Sequence, residues 1–233
     1  MFIVSLDPGG AADAAALSVI ESKFADMTDI HLVIVRHIEE LRGLTQTQAA
    51  DGLATVVNDL QRKVPGQVVT TVDARGLGNT TAELAASAGL APIAIMPTAG
   101  EPAATFKPFA QGQGLQISVG NAQILTAFRR HTSTGTFSVA EDVELADEFF
   151  GQIDSIIPAP TPGGRGLRLD AIEGHDDIAR SVLNAVWLAD TLVSIPSIDR
   201  ALHTCREQSK RIGRPRKTPA GIAGGSPSAG GWT

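Results

Sequence analysis

The chain carries one cysteine in 233 residues, Cys205. No internal disulfide can form, and a zinc site built from several thiolates is excluded. A lone thiol fits a reducing compartment, so the expected location is the cytoplasm. Also missing is any uninterrupted apolar run long enough to span a bilayer. Residues 1–20 carry Asp7 and Asp13 inside their apolar stretch and have no basic leader, the pattern of a protein that is neither exported nor membrane-bound. Neither GxxxxGK(S/T) nor GxGxxG occurs, which removes the two common glycine-rich phosphate loops. There is no excess of positive charge, with 19 Lys and Arg against 25 Asp and Glu and a net charge of −6. A polyanion would therefore have to be gripped locally. No internal repeat is present.

What remains is enough for an ordinary core: 43% hydrophobic residues in a chain of one-domain length. The expected domain covers residues 1–198, followed by a basic and then Gly/Ser/Pro-rich tail, 199–233, expected to be disordered. Strands are predicted at residues 2–6, 15–21 and 30–37, close enough in sequence to form an antiparallel meander. A helix over 47–63 follows, ended by Pro65-Gly66, then a strand at 68–72, a helix at 80–88 stopped by Gly89, and a strand at 91–96. Residues 106–113 are ambiguous. Helices are predicted at 121–131 and 141–153, a short strand at 134–139, and a loop through PAPTPGGRG at 158–166. A strand at 167–172 and a helix from Asp177 to about Val193 complete the pattern. The fold class is α/β, with a mixed sheet flanked by helices.

Carboxylates stand where these elements end. Asp7 closes the first strand and leads into Pro8-Gly9-Gly10, where glycines let the backbone approach a ligand closely; an ordinary Asp-Pro-Gly turn is the competing reading. Asp73 closes the strand at 68–72 and leads through Ala74-Arg75-Gly76-Leu77-Gly78 to a helix start. His175, Asp176 and Asp177 open the last long helix, where free N–H groups and the helix dipole favour negative charge. Capping explains one Asp there, not a His-Asp-Asp run. If the fold brings these ends together, the clustered carboxylates need a cation, and carboxylate oxygens suit Mg²⁺ or Mn²⁺.

Taken in order, the meander with its Asp, the strand ending Asp73 before Gly-x-Gly, and the HDDIARSVLNAVWLA helix resemble the RNase H-like nuclease domain of bacteriophage large terminase subunits. The resemblance covers about residues 1–190, with Asp13, Lys107 before a helical region and ELADEFFGQI as supporting parts. It implies an endonuclease that cuts double-stranded DNA during genome packaging by two-metal-ion hydrolysis, with Asp7, Asp73 and Asp176 as core ligands. Asp177 is then a ligand in place of Asp176 or an assistant to it, and Asp13 is peripheral. Large terminases carry a packaging ATPase ahead of this domain, and no Walker A sequence occurs here. Either the chain is an isolated nuclease domain, or the ATPase is a separate polypeptide, or the gene is a degraded prophage remnant; the partners the resemblance implies are a separate ATPase, a small terminase subunit and a portal, in the cytoplasm of a bacterial host. Two other readings stay open: a Holliday-junction resolvase-like nuclease, and a DNA-binding or assembly module without activity.

Cationic residues expected to meet DNA are Arg75, Lys107 and His175, with Arg129, Arg130, Arg165 and Arg168 unranked. In the tail, Arg211, Arg214, Arg216 and Lys217 surround a Gly-Arg-Pro similar to the AT-hook, whose arginines enter the narrow minor groove of A·T-rich DNA; a solubilising basic tail is the plainer reading. Trp187 falls on an apolar helix face as core, and Phe149 and Phe150 straddle a helix so that one packs. His31, His37, His131 and His203 form no metal-binding spacing.

Overall fold

The structure, a computed structural model, describes residues 1–9, 14–100, 104–109, 112–162, 164, 166–171, 176–194, 204 and 207. Asp13, Arg165, His175, Cys205, Arg211, Arg214, Arg216 and Lys217 lie outside the described residues.

Three strands form the expected meander: β1 (Phe2–Asp7), β2 (Ala15–Phe24) and β3 (His31–Leu41), each antiparallel to the next. Helix α1 (Gln46–Lys63) follows. Its start is fixed by a capping box, in which the Gln48 N–H donates to Thr45 Oγ1 at 3.3 Å and the Thr45 N–H donates to Gln48 Oε1 at 2.9 Å. Strand β4 (Val68–Asp73), helix α2 (Gly78–Ser87) and strand β5 (Ile93–Thr98) complete the first half. The order β-β-β-α-β-α-β expected of the first hundred residues is the order found.

The ambiguous stretch contributes β6 (Thr105–Phe109), which forms an antiparallel hairpin with β7 (Gly114–Gly120), a strand not expected from the sequence. Strand β7 has a plain signal, since Leu115, Ile117 and Val119 alternate with Gln116 and Ser118 and are buried. It also alters the place of Lys107, which lies within β6, with a strand between it and the next helix. Then come α3 (Asn121–Ser133), β8 (Phe137–Val139), α4 (Ala146–Ser155), β9 (Ile156–Pro160), β10 (Leu167–Ala171) and α5 (Asp177–Ser194). Helix α4 begins five residues later than its apolar spacing suggests, because residues 141–145 form turns. The loop expected at 158–166 is half strand: Pro158 and Pro160 sit in β9, opposite Leu169 and Leu167 of β10, in a separate two-stranded ribbon. Prolines are tolerated in such edge positions, where the missing N–H costs no interior ladder bond.

The main sheet has eight strands in the order β6-β7-β5-β4-β1-β2-β3-β8. β1, β4, β5 and β7 run parallel, and β8 runs parallel to β3. Alternation along the strands splits the core in two. Val4, Leu6, Leu17 and Val72 pack with Leu53 and Val57 of α1 and with Ala82 and Ala85 of α2. Ile3, Ile20, Val69 and Ile95 pack on the opposite face, with residues of α3, α4 and α5. α5 is the central helix of that face, buried along nearly its whole length, with Trp187 at 5% exposure as core. Phe149 is buried and Phe150 exposed, as their positions on a helix surface require. Among the described residues no helix is long and apolar enough to cross a membrane.

Candidate metal centre

β1 and β4 are parallel neighbours with Leu6 opposite Val72, so Asp7 and Asp73, each one residue further on, leave the sheet side by side at the same end. Period-two alternation sets their face. Ile3 and Val69 face α5, hence so do Ser5 and Thr71, and so do the two aspartates. Both are buried, at 6% and 2% exposure, which is costly for carboxylates without a positive partner.

That partner is Arg75. The Arg75 N–H donates to Asp73 Oδ1 at 3.0 Å, closing a tight turn. Its guanidinium folds back as a fork, with Nε donating to Oδ1 at 3.0 Å and Nη2 donating to Oδ2 at 2.7 Å. The same Nη2 stands 3.8 Å from Asp7 Oδ2. Burial opposes the guanidinium charge, but the hydrogen bonds and charge of Asp73, with Asp7 and Asp176, outweigh it and raise the Arg75 pKa. The turn depends on Gly78, at the start of α2: a Cβ there would collide with the Asp73 carbonyl oxygen.

Asp7 is less well satisfied. Its Oδ1 accepts from the Gly9 N–H at 3.2 Å, while Oδ2 is buried without a hydrogen bond. Burial, followed by the charge of Asp73, pushes its carboxyl well above the usual aspartate range; Arg75 pulls down, and Asp177 pushes up again.

α5 supplies the third side. Asp176 is its N-cap, the carbonyl accepting from the Arg180 N–H at 2.8 Å. The Asp176 carboxylate is held by the Arg180 side chain, whose Nη2 also donates to the Leu169 carbonyl at 2.6 Å. Asp177 is the first helical residue, and its charge is felt at Asp7. Two turns further along, Asn184 Nδ2 donates to Asp73 Oδ2 at 3.2 Å, a contact that no local motif announces beyond the seven-residue spacing from Asp177. Asn184 and Arg180 were not among the residues expected from the sequence.

An orphaned carboxylate oxygen beside a second buried carboxylate, with a third acidic side chain close enough to raise its pKa, is an oxygen-only donor set suited to a hard divalent cation. Lys107 is more distant. It is exposed on the edge strand β6 in the row Lys107, Gln116, Ala94, Val72, three strand spacings or roughly 14 Å from β4. Arg130 lies elsewhere, paired with Asp190 near the other end of α5. There the fold also brings together His31, His131 and Asp190, a grouping that sequence spacing did not suggest.

The large terminase nuclease from thermophilic phage G20c superposes on this chain with a TM-score of 0.51 at 17% identity, covering 79% of this chain and 80% of that one. The fold is RNase H-like. The same nuclease with bound magnesium gives a TM-score of 0.50 at 17% identity, over 80% of each chain. RuvC of Thermus thermophilus aligns with a TM-score of 0.39 at 15% identity, over 83% of this chain and 96% of its own. No protein-family model and no curated protein sequence matches the chain.

Proposed function

We propose that this chain is a divalent-metal-dependent endodeoxyribonuclease of the phage large-terminase type, hydrolysing phosphodiester bonds in double-stranded DNA. The observation that carries the reading is the burial of Asp7 from β1 beside Asp73 from β4, with an oxygen of Asp7 left without a hydrogen bond and the charge of Asp177 from α5 felt there. The G20c nuclease, on the same fold, binds magnesium.

Asp7, Asp73 and Asp177 are the proposed ligands. Asp176 takes a supporting place, because Arg180 already engages its carboxylate and locks the start of α5. Asp13 stays a peripheral acid. Bound Mg²⁺ or Mn²⁺, as two ions when DNA is present, supplies a Lewis acid that activates water and stabilises the leaving 3′ oxygen. Asn184 orients Asp73 through its amide, a supporting hydrogen bond of the kind that tunes a ligand. Arg75 neutralises the two strand carboxylates and sits at the mouth of the site, from which its guanidinium reaches a phosphate once released from Asp73. Lys107 and His175 extend the contact to the DNA backbone, and the tail, 199–233, adds Arg211, Arg214, Arg216 and Lys217 beside the catalytic domain, 1–198. In this reading the protein works in the cytoplasm of a bacterial host, with a packaging ATPase, a small terminase subunit and a portal.

The test is cleavage of plasmid and linear duplex DNA in Mn²⁺. Asp7→Asn, Asp73→Asn and Asp177→Asn are expected to abolish it with circular dichroism unchanged, and Asp176→Asn to leave a residue of activity. Wild-type cleavage by Asp73→Asn would remove the central carboxylate and the proposal with it. A strong preference for four-way junctions over linear duplex would move the assignment to a resolvase.

A further inference from the structure

At the far end of α5, thirteen residues or about 20 Å from Asp177 along the helix axis, a second group of ligand atoms converges. His31 opens β3, His131 lies in the last turn of α3, and Asp190 is four residues from the end of α5. One ring nitrogen of each histidine and one carboxylate oxygen of Asp190 lie within 4.8 Å of one another.

Of the two ring nitrogens of His131, one has a hydrogen-bond partner and the other does not. Thr134 Oγ1 donates its proton to the Arg130 carbonyl at 2.8 Å. Thr136 Oγ1 sends its own either to the His131 carbonyl at 3.3 Å or to Thr134 Oγ1 at 2.9 Å. When its own proton goes to either of these, Thr136 Oγ1 accepts from His131 Nδ1, 2.8 Å away, and in that tautomer of the neutral ring Nε2 presents a lone pair. That Nε2 is buried, in a side chain 4% exposed, and makes no hydrogen bond. What it faces, at 3.5 Å, is Asp190 Oδ1. In that tautomer two lone-pair acceptors face each other, an arrangement that a cation between them would satisfy.

The spacing suits one. Metal–nitrogen and metal–oxygen distances of about 2.0–2.1 Å put neighbouring ligand atoms of a tetrahedron roughly 3.3–3.4 Å apart. The surroundings already provide the supporting contacts a metal site uses. Thr136 Oγ1 bonds His131 Nδ1, Ser22 Oγ holds the His31 ring at 2.8 Å, and Arg130 grips the other oxygen of Asp190. The rings of His31 and His131 stand edge to face with centroids 5.2 Å apart. Burial, then the neighbouring His31 and Arg130, holds His131 at a pKa of about 4, and burial followed by Arg130 lowers His31, so both rings are neutral ligands at physiological pH.

We propose that His31, His131 and Asp190 form a second metal site, separate from the acidic centre, that takes a zinc-class transition-metal ion and ties β3, α3 and the C-terminal end of α5 together. Two imidazoles and one carboxylate select a borderline ion such as Zn²⁺ or Co²⁺ over Mg²⁺, whereas the oxygen-only centre at the other end does the reverse.

The experiment is Co²⁺ and Zn²⁺ binding by the full chain, stripped of metal and held in excess Mg²⁺ to occupy the acidic centre. Expected are a visible Co²⁺ absorption of the tetrahedral type, its displacement by Zn²⁺, and a Zn²⁺-dependent rise in melting temperature. Asp190→Asn, which keeps the side-chain shape, and His31→Ala, at a half-buried position, should each weaken binding at least about tenfold. Asp7→Asn and Asp73→Asn should leave it intact. Absence of Zn²⁺ binding by the wild type under these conditions overturns the proposal. So does binding that survives Asp190→Asn and His31→Ala but disappears in Asp73→Asn, which would assign the ion to the acidic centre.

Discussion

Replacing Asp7 by Asn should stabilise the metal-free protein while abolishing its response to metal. Adjacent strands place the Asp7 and Asp73 backbones about 4.8 Å apart. At an effective dielectric of about 20, two like charges at that separation repel by roughly 3.5 kcal/mol. Arg75 Nη2, 3.8 Å from Asp7 Oδ2, returns about 4.4 kcal/mol on the same scale, so the two nearly cancel. What is left is the cost of burying a carboxylate with an oxygen that meets no donor, increased by Asp177. An asparagine of the same shape keeps the acceptor for the Gly9 N–H and sheds the charge. Neutralising an unfavourable buried charge is worth roughly 1–3 kcal/mol, or about 2–12 °C in melting temperature for a chain of this size.

The measurement is thermal unfolding in chelator and in saturating Mn²⁺. In chelator the variant should melt above the wild type. In Mn²⁺ the wild type should gain about 2.7 kcal/mol at a hundredfold excess over Kd, and the variant little. Lowering the pH gives an internal check. A carboxyl whose folded pKa lies above its unfolded value contributes stability below the ordinary aspartate range and loses it as pH rises through the folded value. The gap between variant and wild type in chelator should therefore close in acid. A variant less stable than the wild type by 1 kcal/mol or more, in chelator at neutral pH, would show that Asp7 holds the fold together instead of straining it.

Arg75→Ala leaves Asp7 and Asp73 buried without their cation and should cost roughly 3–5 kcal/mol in chelator, with Mn²⁺ restoring more stability to the variant than it adds to the wild type; paired melting curves read both. Asn184→Ala should weaken Mn²⁺ binding or cleavage about 10–100-fold with little change in fold, measured by calorimetric titration. Gly78→Ala forces β4 and α2 apart at the Asp73 carbonyl and should lower both stability and metal affinity, by 1–3 kcal/mol or more in urea unfolding. In chelator, His131 with its pKa of about 4 against an ordinary 6.5 should make the fold lose up to about 3 kcal/mol as pH drops through that window, a loss absent from His131→Gln; urea midpoints at pH 7.5 and 5 decide it.

The positions of Asp7 and Asp73 were legible because each ends an apolar run with turn residues behind it, and a parallel pairing of two such strands does the rest. The choice between Asp176 and Asp177 was not. Successive residues at a helix start point about 100° apart, so which one faces the sheet depends on how α5 rolls across β1 and β4. Arg180 holds Asp176 as an i,i+4 pair at the helix start, and the tertiary part is its further hydrogen bond to the Leu169 carbonyl, which anchors that guanidinium. Strand β7 was legible in the sequence as the period-two alternation of Leu115, Ile117 and Val119 with Gln116 and Ser118, but, being short and running directly into α3, it was not expected as a strand. Strand β9 was hidden by its prolines, which read as loop until β10 is there to pair with them. The His31, His131 and Asp190 group lies on three elements remote in sequence, and only the packing of α3 and α5 beside the β2–β3 hairpin unites it.

Arg75 shows why a residue read as a DNA contact also has a place in the fold itself. Two carboxylates forced side by side by parallel strands need positive charge from the moment the sheet closes, whether or not an ion is at hand. A guanidinium two residues from Asp73 supplies it locally, through a turn that Gly76 permits at φ +52° and Gly78 permits by having no side chain. Its fork takes up both oxygens of Asp73, the atoms that a bound cation would claim, and a phosphate would claim the fork. Metal and phosphate arriving together can therefore satisfy every group that Arg75 and Asp73 give up to one another, whereas either alone leaves a charge behind. On the proposed function, that couples ion binding to DNA binding through one side chain, with no moving domain required.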